Sequence, residues 1–199
     1  MLNVLIAGVG GQGSVLAAKI LAQAATEKGW QVRTAETIGM AQRGGNVLSH
    51  VRMGNAGEDI YAPLVPRGKA DCVIALEPGE GLRALPYLAP NGLLVSAQTG
   101  IASVTADLSG THYSPAAVLE HLVQATPHFV AVDDKALSEA AGSGKALNVG
   151  MLAAAIQASE SLDCGLGAAL SVDDLKSALV ACVKPQFLDM NLAAINAAL

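Results

Sequence analysis

Two clusters in the chain have residue types and spacing suited to chemistry. The first is the run GVGGQG, residues 8–13, which follows the apolar stretch LNVLIA and precedes a helical pattern. Gly8, Gly10 and Gly13 satisfy G-x-G-x-x-G, in which a strand turns into a helix and exposed backbone N–H groups face an anion at the positive helix end. Glu36 stands near the end of the second expected strand, where a dinucleotide-binding fold places its ribose-binding acid. The second cluster is GMAQRGG, residues 39–45. There Arg43, a permanently charged planar fork, lies between Gln42 and the pair Gly44 and Gly45, on a backbone free to adopt unusual dihedrals. Such an arginine can hold a carboxylate or phosphate through two parallel hydrogen bonds. Each cluster also has a plainer explanation: glycines that only let helix and sheet approach, and an arginine paired with a nearby acid.

Other candidates are single residues. Glu77 closes ALEP at the end of the expected fourth strand, where α/β sheets carry functional groups; it serves equally well as a cap for the turn starting at Pro78. Asn148, inside the helical KALNVGML, suits a side chain that bonds a loop backbone. His50 fits a satisfied sheet residue better than an acid–base group, while His112, His121 and His128 fall in separate elements without ligand spacing. Met40 and Met53 read as packing residues. Cys72, Cys164 and Cys182 are odd in number, far apart and without a CxxC pair, so neither a zinc site nor an iron–sulfur site is expected, and no metal ligands are assigned. No Ser-His-Asp or Cys-His arrangement follows from the sequence order.

The elements that must position these residues alternate between short apolar runs and longer helical patterns, as in a three-layer α/β/α domain. LNVLIAG, QVRTAET, NVLSHVRMG, DCVIALE, GLLVSAQ and HFVAVD read as strands. Apolar residues from Val15 to Ala25 recur at helical spacing, and that helix is expected to end near Gly29. The stretch between the second and third strands is too short for a helical crossover, so that pair is expected to be antiparallel. The fold class is therefore a Rossmann-like α/β domain with a mixed sheet, mostly parallel, in which residues 47–54 run antiparallel. SPAAVLEHLVQAT is a helix capped by Ser114 with Pro115 at its first position, and the chain after Asp134 is mostly helical. LRALPYL reads as a short helical turn, and MGNAGEDIYAPLVPRGKAD as a loop with a short strand inside it.

Composition narrows the function classes. The chain has 199 residues, 52% of them hydrophobic and 15% charged, enough for one substantial core, and residues 1–199 are expected to form a single domain. A net charge of −5, with twelve scattered lysines and arginines, argues against a nucleic-acid partner. No run reaches about 18 apolar residues and no leader pattern opens the chain, so no membrane partner is expected and a reducing cytoplasm is the expected compartment.

The combination GVGGQG, GMAQRGG, HVRMG, YAPLVPRGKAD and ALEPGEGLRALPYL resembles the gamma-type component of 2-oxoacid:acceptor (ferredoxin) oxidoreductases. Within that family it is most similar to the indolepyruvate ferredoxin oxidoreductase beta-subunit type. MAQRGG separates that type from relatives acting on pyruvate or 2-oxoglutarate, where a GPExRGG-like loop is expected. The resemblance implies a multi-subunit enzyme that oxidatively decarboxylates a 2-oxo acid, forms an acyl-coenzyme A and passes electrons to ferredoxin. Thiamine diphosphate, Mg and the iron–sulfur clusters would sit on a larger partner subunit, with coenzyme A as a substrate and no cofactor held by this chain alone. Gly10, Gly11, Gln12 and Gly13 would then present backbone amides and a side-chain amide to coenzyme A phosphate or to the partner's cofactor region. Arg43 would supply charge at the catalytic centre, with Gln42, Gly44, Gly45, Glu77 and Asn148 around it. A homodimer of the isolated chain is a further expectation. One departure stands out: after the fifth strand the family's turn of the form NTxPIxP is replaced by SAQTGIASV. Two other classes stay open, a free-standing NAD-binding oxidoreductase and a non-catalytic assembly module.

Overall fold

The computed structural model describes residues 1–39, 45–101, 113–162 and 165–199. In chain order the elements are β1 (Leu2–Val9), α1 (Ser14–Glu27), β2 (Val32–Ile38), β3 (Asn46–Met53), β4 (Ala70–Ala75), α2 (Pro78–Ala84), β5 (Leu88–Ala97) and α3 (Pro115–Ala125). They continue with β6 (Phe129–Val132), α4 (Asp134–Ala140), α5 (Leu147–Leu162), α6 (Leu166–Ala169), α7 (Val172–Cys182) and α8 (Leu188–Ala197). The strands form one six-stranded sheet in the order β2-β3-β1-β4-β5-β6.

β3 runs antiparallel to both neighbours, with Leu2 opposite Met53 on β1 and Val32 opposite Met53 on β2. The pairs β1·β4, β4·β5 and β5·β6 are parallel. The mixed, mostly parallel sheet expected from the short β2–β3 connection is therefore present. No strand forms between β3 and β4, contrary to the expected short one. That segment carries Pro63 and Pro66, which lack an N–H for a ladder. It is held instead by buried Ile60 and Val65 and by Arg52, whose guanidinium donates to the Ala62 carbonyl at 2.7 Å.

β1 is central because its alternate residues feed two cores. Val4 and Ile6 pack beneath α1, α5, α7 and α8, whereas Leu5 and Ala7 pack with Val73, Leu94 and Leu122 beneath α2 and α3. Fully burying one such leucine or isoleucine contributes about 1.5–3 kcal/mol. Alanine and glycine on the helices permit close approach: α1 buries Ala17, Ala18, Ala24 and Ala25, and α5 buries Ala153, Ala154 and Ala155. The helix ends follow their capping residues. Ser114 accepts from Ala117 N–H ahead of Pro115, and Ser171 with Asp174 forms a reciprocal capping box on α7.

Candidate functional site

β1, β4 and β5 end at the same edge of the sheet. α1 leaves β1 onto one face and α2 leaves β4 onto the other, which makes the gap between β1 and β4 a topological switch point, the place where open α/β sheets bind ligands.

The glycine turn lies at this point and is fixed on three sides. Gly10 N–H donates to the Gly45 carbonyl at 2.9 Å, which joins the turn to the start of β3. The Gln12 side chain accepts from Val9 N–H at 2.8 Å and donates to the Leu76 carbonyl at 2.7 Å, bridging the ends of β1 and β4. Asn148, in the first turn of α5, donates to the Gly13 carbonyl at 2.8 Å and is itself buried. Gly13 has φ +81°, and a Cβ there would stand 2.6 Å from the Asn148 amide nitrogen, so only glycine fits. The helix that follows has no side-chain cap and no acid in its first turn. The N–H groups of Gly11 and of the first turn of α1 are therefore left without acceptors among the described residues.

The geometry revises one expectation. The Gln12 side-chain amide does not face outward toward an anion; both of its ends are engaged inside the chain, and its contribution is to brace the turn. Asn148 does bond the loop backbone, and Gly10 and Gly45 are brought together. Gln42, Arg43 and Gly44, along with Met40, His112 and Cys164, lie outside the described residues. Of the two residues that flank the arginine segment, Gly45 touches the glycine turn, whereas Gly39 donates to the Asn46 carbonyl from the far side of β3.

Beside this turn is a second cluster. Glu77 is buried at 2% exposure and caps α2, its Oε2 accepting from Glu80 N–H at 2.9 Å. Its Oε1 accepts from the Tyr113 hydroxyl and, at 3.3 Å, from Ile101 N–H. Tyr113 in turn accepts from Gly79 N–H at 3.1 Å. Burial, then the hydrogen bond to Glu77, pushes the Tyr113 phenol up, so it stays a neutral donor. Glu80 is also buried, one oxygen pairing with Arg83 and the other without a partner among the described residues. Desolvation raises its carboxyl above the usual range, with the neighbouring Glu77 charge adding to the rise and Arg83 opposing it. Asp134 closes the end of β5, accepting from Gln98 and Thr99 N–H at 2.9 and 2.8 Å. Sequence reasoning missed Tyr113, Glu80 and Asp134; Pro78 after Glu77 was the one local signal, and it pointed to the capping role.

His50 lies away from this edge cluster, within the sheet. Its Nδ1 accepts from Val65 N–H at 3.1 Å, its ring meets Tyr87 edge to face, and desolvation lowers its pKa. A separate open groove of about 330 Å³, bordered by Met1, Asn55, Asp71 and Asn91, lies at the opposite edge of the sheet and shares no residue with the site.

Glu36 settles what the glycines alone left open. β3 is inserted between β1 and β2, so Glu36 lies two strands from the glycine turn, about 10 Å at the usual strand spacing, where a dinucleotide fold has one. The pyruvate ferredoxin/flavodoxin oxidoreductase family matches residues 3–199. The chain belongs to that family. An indolepyruvate oxidoreductase subunit IorB from Archaeoglobus fulgidus is 38% identical over 199 residues, covering 98% of this chain and 92% of that protein. The fold is shared with the gamma subunit of a keto/oxoacid ferredoxin oxidoreductase from Geobacter sulfurreducens, at TM-score 0.69 and 20% identity over 100% of this chain and 96% of that one. It is shared too with a 2-oxoglutarate:ferredoxin oxidoreductase from Magnetococcus marinus bound to 2-oxoglutarate, coenzyme A and succinyl-CoA. There the TM-score is 0.69 at 19% identity, and the match covers 99% of this chain but 30% of the other, so in that protein this family's fold is one portion of a longer polypeptide. Among the described residues no helix is long and apolar enough to cross a membrane.

Proposed function

We propose that this chain is the small subunit of a thiamine diphosphate-dependent 2-oxoacid:ferredoxin oxidoreductase of the indolepyruvate type, and that it completes the active site by holding coenzyme A. The observation that carries the reading is the braced glycine turn at the switch point, followed by an α1 N-terminus that no side chain caps. The pyrophosphate of coenzyme A suits such a turn: the N–H groups of Gly11 and the first turn of α1 bind it, and the positive end of the helix orients it. Asn148 and Gln12 hold the turn rigid, so no ordering is required on binding.

Thiamine diphosphate, when bound on the larger subunit, supplies the carbanion chemistry of decarboxylation, and iron–sulfur clusters there carry electrons to ferredoxin. The part left to this chain is to bind and orient the thiol substrate and, through Arg43, to meet an anionic group of the 2-oxo acid or of coenzyme A.

Val15→Asp tests the anion site. Val15 is half exposed in the first turn of α1, where a carboxylate favours the helix dipole by about 0.3–1 kcal/mol and so leaves the fold stable. In the complex reconstituted with its larger subunit, KM for coenzyme A should rise about tenfold or more while KM for the 2-oxo acid holds. An unchanged KM for coenzyme A refutes the site. Arg43→Lys, which removes the fork but keeps the charge, should lower turnover or raise one of the two KM values.

A further inference from the structure

We infer that the free edge of β2 is a self-pairing surface, through which two copies of this chain join their sheets about a two-fold axis. β2 is a terminal strand of the sheet and spans seven residues, whereas β6 at the other end spans four. Arg33, Thr34, Glu36, Thr37 and Ile38 are exposed, Ile38 at 66%.

Which backbone groups of β2 are free follows from the hydrogen bonds that flank it. Gly54 N–H donates to the Gln31 carbonyl and Gly39 N–H to the Asn46 carbonyl. In the register that sets Val32 opposite Met53 and Ile38 opposite Val47, odd-numbered residues therefore direct their backbone groups at β3. Val32, Thr34, Glu36 and Ile38 direct theirs outward. In agreement, the Val32 carbonyl accepts from the exposed Arg33 guanidinium at 3.1 Å rather than from a strand.

A row of open donors and acceptors is a template for another strand. A closed two-fold pairing is antiparallel and joins outward residues to outward residues, which leaves few registers. Centring on Arg33 sets it against its own copy, and centring on Glu36 opposes two carboxylates; like charges directly opposite are unfavourable. Centring on Thr34 sets Val32 against Glu36 and leaves Ile38 outside the ladder. Centring on Ala35 pairs every residue of the strand: Val32 with Ile38, Arg33 with Thr37, Thr34 with Glu36, and Ala35 with its own copy. No like charges meet in this register. Aliphatic pairs close both ends, the Thr34 hydroxyl faces a carboxylate that accepts from it, and the smallest side chain lies on the axis. The strand is self-complementary, and the occupant that fits its edge is a second copy of the same strand.

The test uses the purified full-length chain. Sedimentation across about 1–100 μM should show a reversible dimer, and Thr34→Pro should weaken it at least about tenfold. That proline removes an outward N–H and spares the β2–β3 ladder. Ala35→Cys provides the second readout, since in a non-hydrogen-bonded pair the two Cα atoms lie about 4.5 Å apart, within disulfide reach. Mild oxidation should give covalent dimers from Ala35→Cys but not from wild type or Arg33→Cys. A monomer throughout that range, a dimer that neither variant reports on, or an Ala35→Cys chain that cross-links to the larger subunit instead of to its own copy overturns the inference.

Discussion

Gly13 answers to two constraints at once, a left-handed φ of +81° and an Asn148 amide nitrogen 2.6 Å from where a Cβ would lie. Gly11 has φ +99° but nothing within 4 Å of the added atom. Gly11→Ala should therefore cost only its backbone strain, about 1–2 kcal/mol, and Gly13→Ala clearly more, because Asn148 must also move. Urea unfolding of the two variants checks the order. At the second cluster, Glu77→Ala strands the Tyr113 hydroxyl and the N–H groups of Glu80 and Ile101. A loss of about 2–4 kcal/mol is expected, whereas Tyr113→Phe, which removes one donor and one acceptor, should lose about 1–2 kcal/mol. Equal losses in thermal unfolding would show that Glu77 serves Tyr113 alone.

His50 gives the fold a pH dependence with a definite sign. Its folded pKa is lowered below 6.5 by burial, so its contribution is complete above 6.5 and is lost as pH falls through the window beneath. There the unfolded chain takes a proton that the folded one refuses. Glu80, raised above 4.5 by burial, acts in the opposite sense and loses stability as pH rises through its folded pKa. Comparing wild type with His50→Phe by urea unfolding between pH 7.5 and 5 separates the two. The wild type should lose stability on acidification faster than the variant, by up to about 1.4 kcal/mol per pH unit.

Among the elements, those governed by local rules were legible in the sequence. Ser114 and Pro115 announced α3, and the brevity of the stretch before Asn46 announced an antiparallel β3. The glycine turn was legible for the same reason, since strand, glycines and helix are contiguous. What stayed hidden depends on pairs distant in sequence. Tyr113 meets Glu77 across 36 residues, and Asp134 reaches back as far to Gln98. No periodicity encodes such meetings. Gln12 misled for a related reason: a glutamine in a turn can face either way, and only the position of the Leu76 carbonyl decides it. At this scale α7 offers a check. Its capping box and the Lys28–Asp174 pair fasten it beside α1, and Ser171→Ala should cost about 1 kcal/mol, read by thermal unfolding.

At the scale of the molecule, the inserted β3 separates this fold from a dinucleotide binder with the same glycines. It takes the slot beside β1 that a ribose-binding strand would fill, and the residue that leads into it, Gly45, is bonded to the glycine turn. The same edge gathers the N-termini of α1 and α2, with Asn148 of α5 beside them. The α2 end is already met by the Glu77 carboxylate, so α1 is the one of the two whose first turn has no side-chain cap.

The placement of β1 also bears on how the chain comes to be folded. β1 is an inner plank of the sheet, and both of its neighbours follow it in the chain, one with Asn46–Met53 and the other with Ala70–Ala75. The roof over its Val4 and Ile6 side begins with α1 but is completed only by the later helices, up to Ala194 and Ile195. Until those helices are joined, much of this oily face stays uncovered, so versions truncated before Leu188 should end up in inclusion bodies.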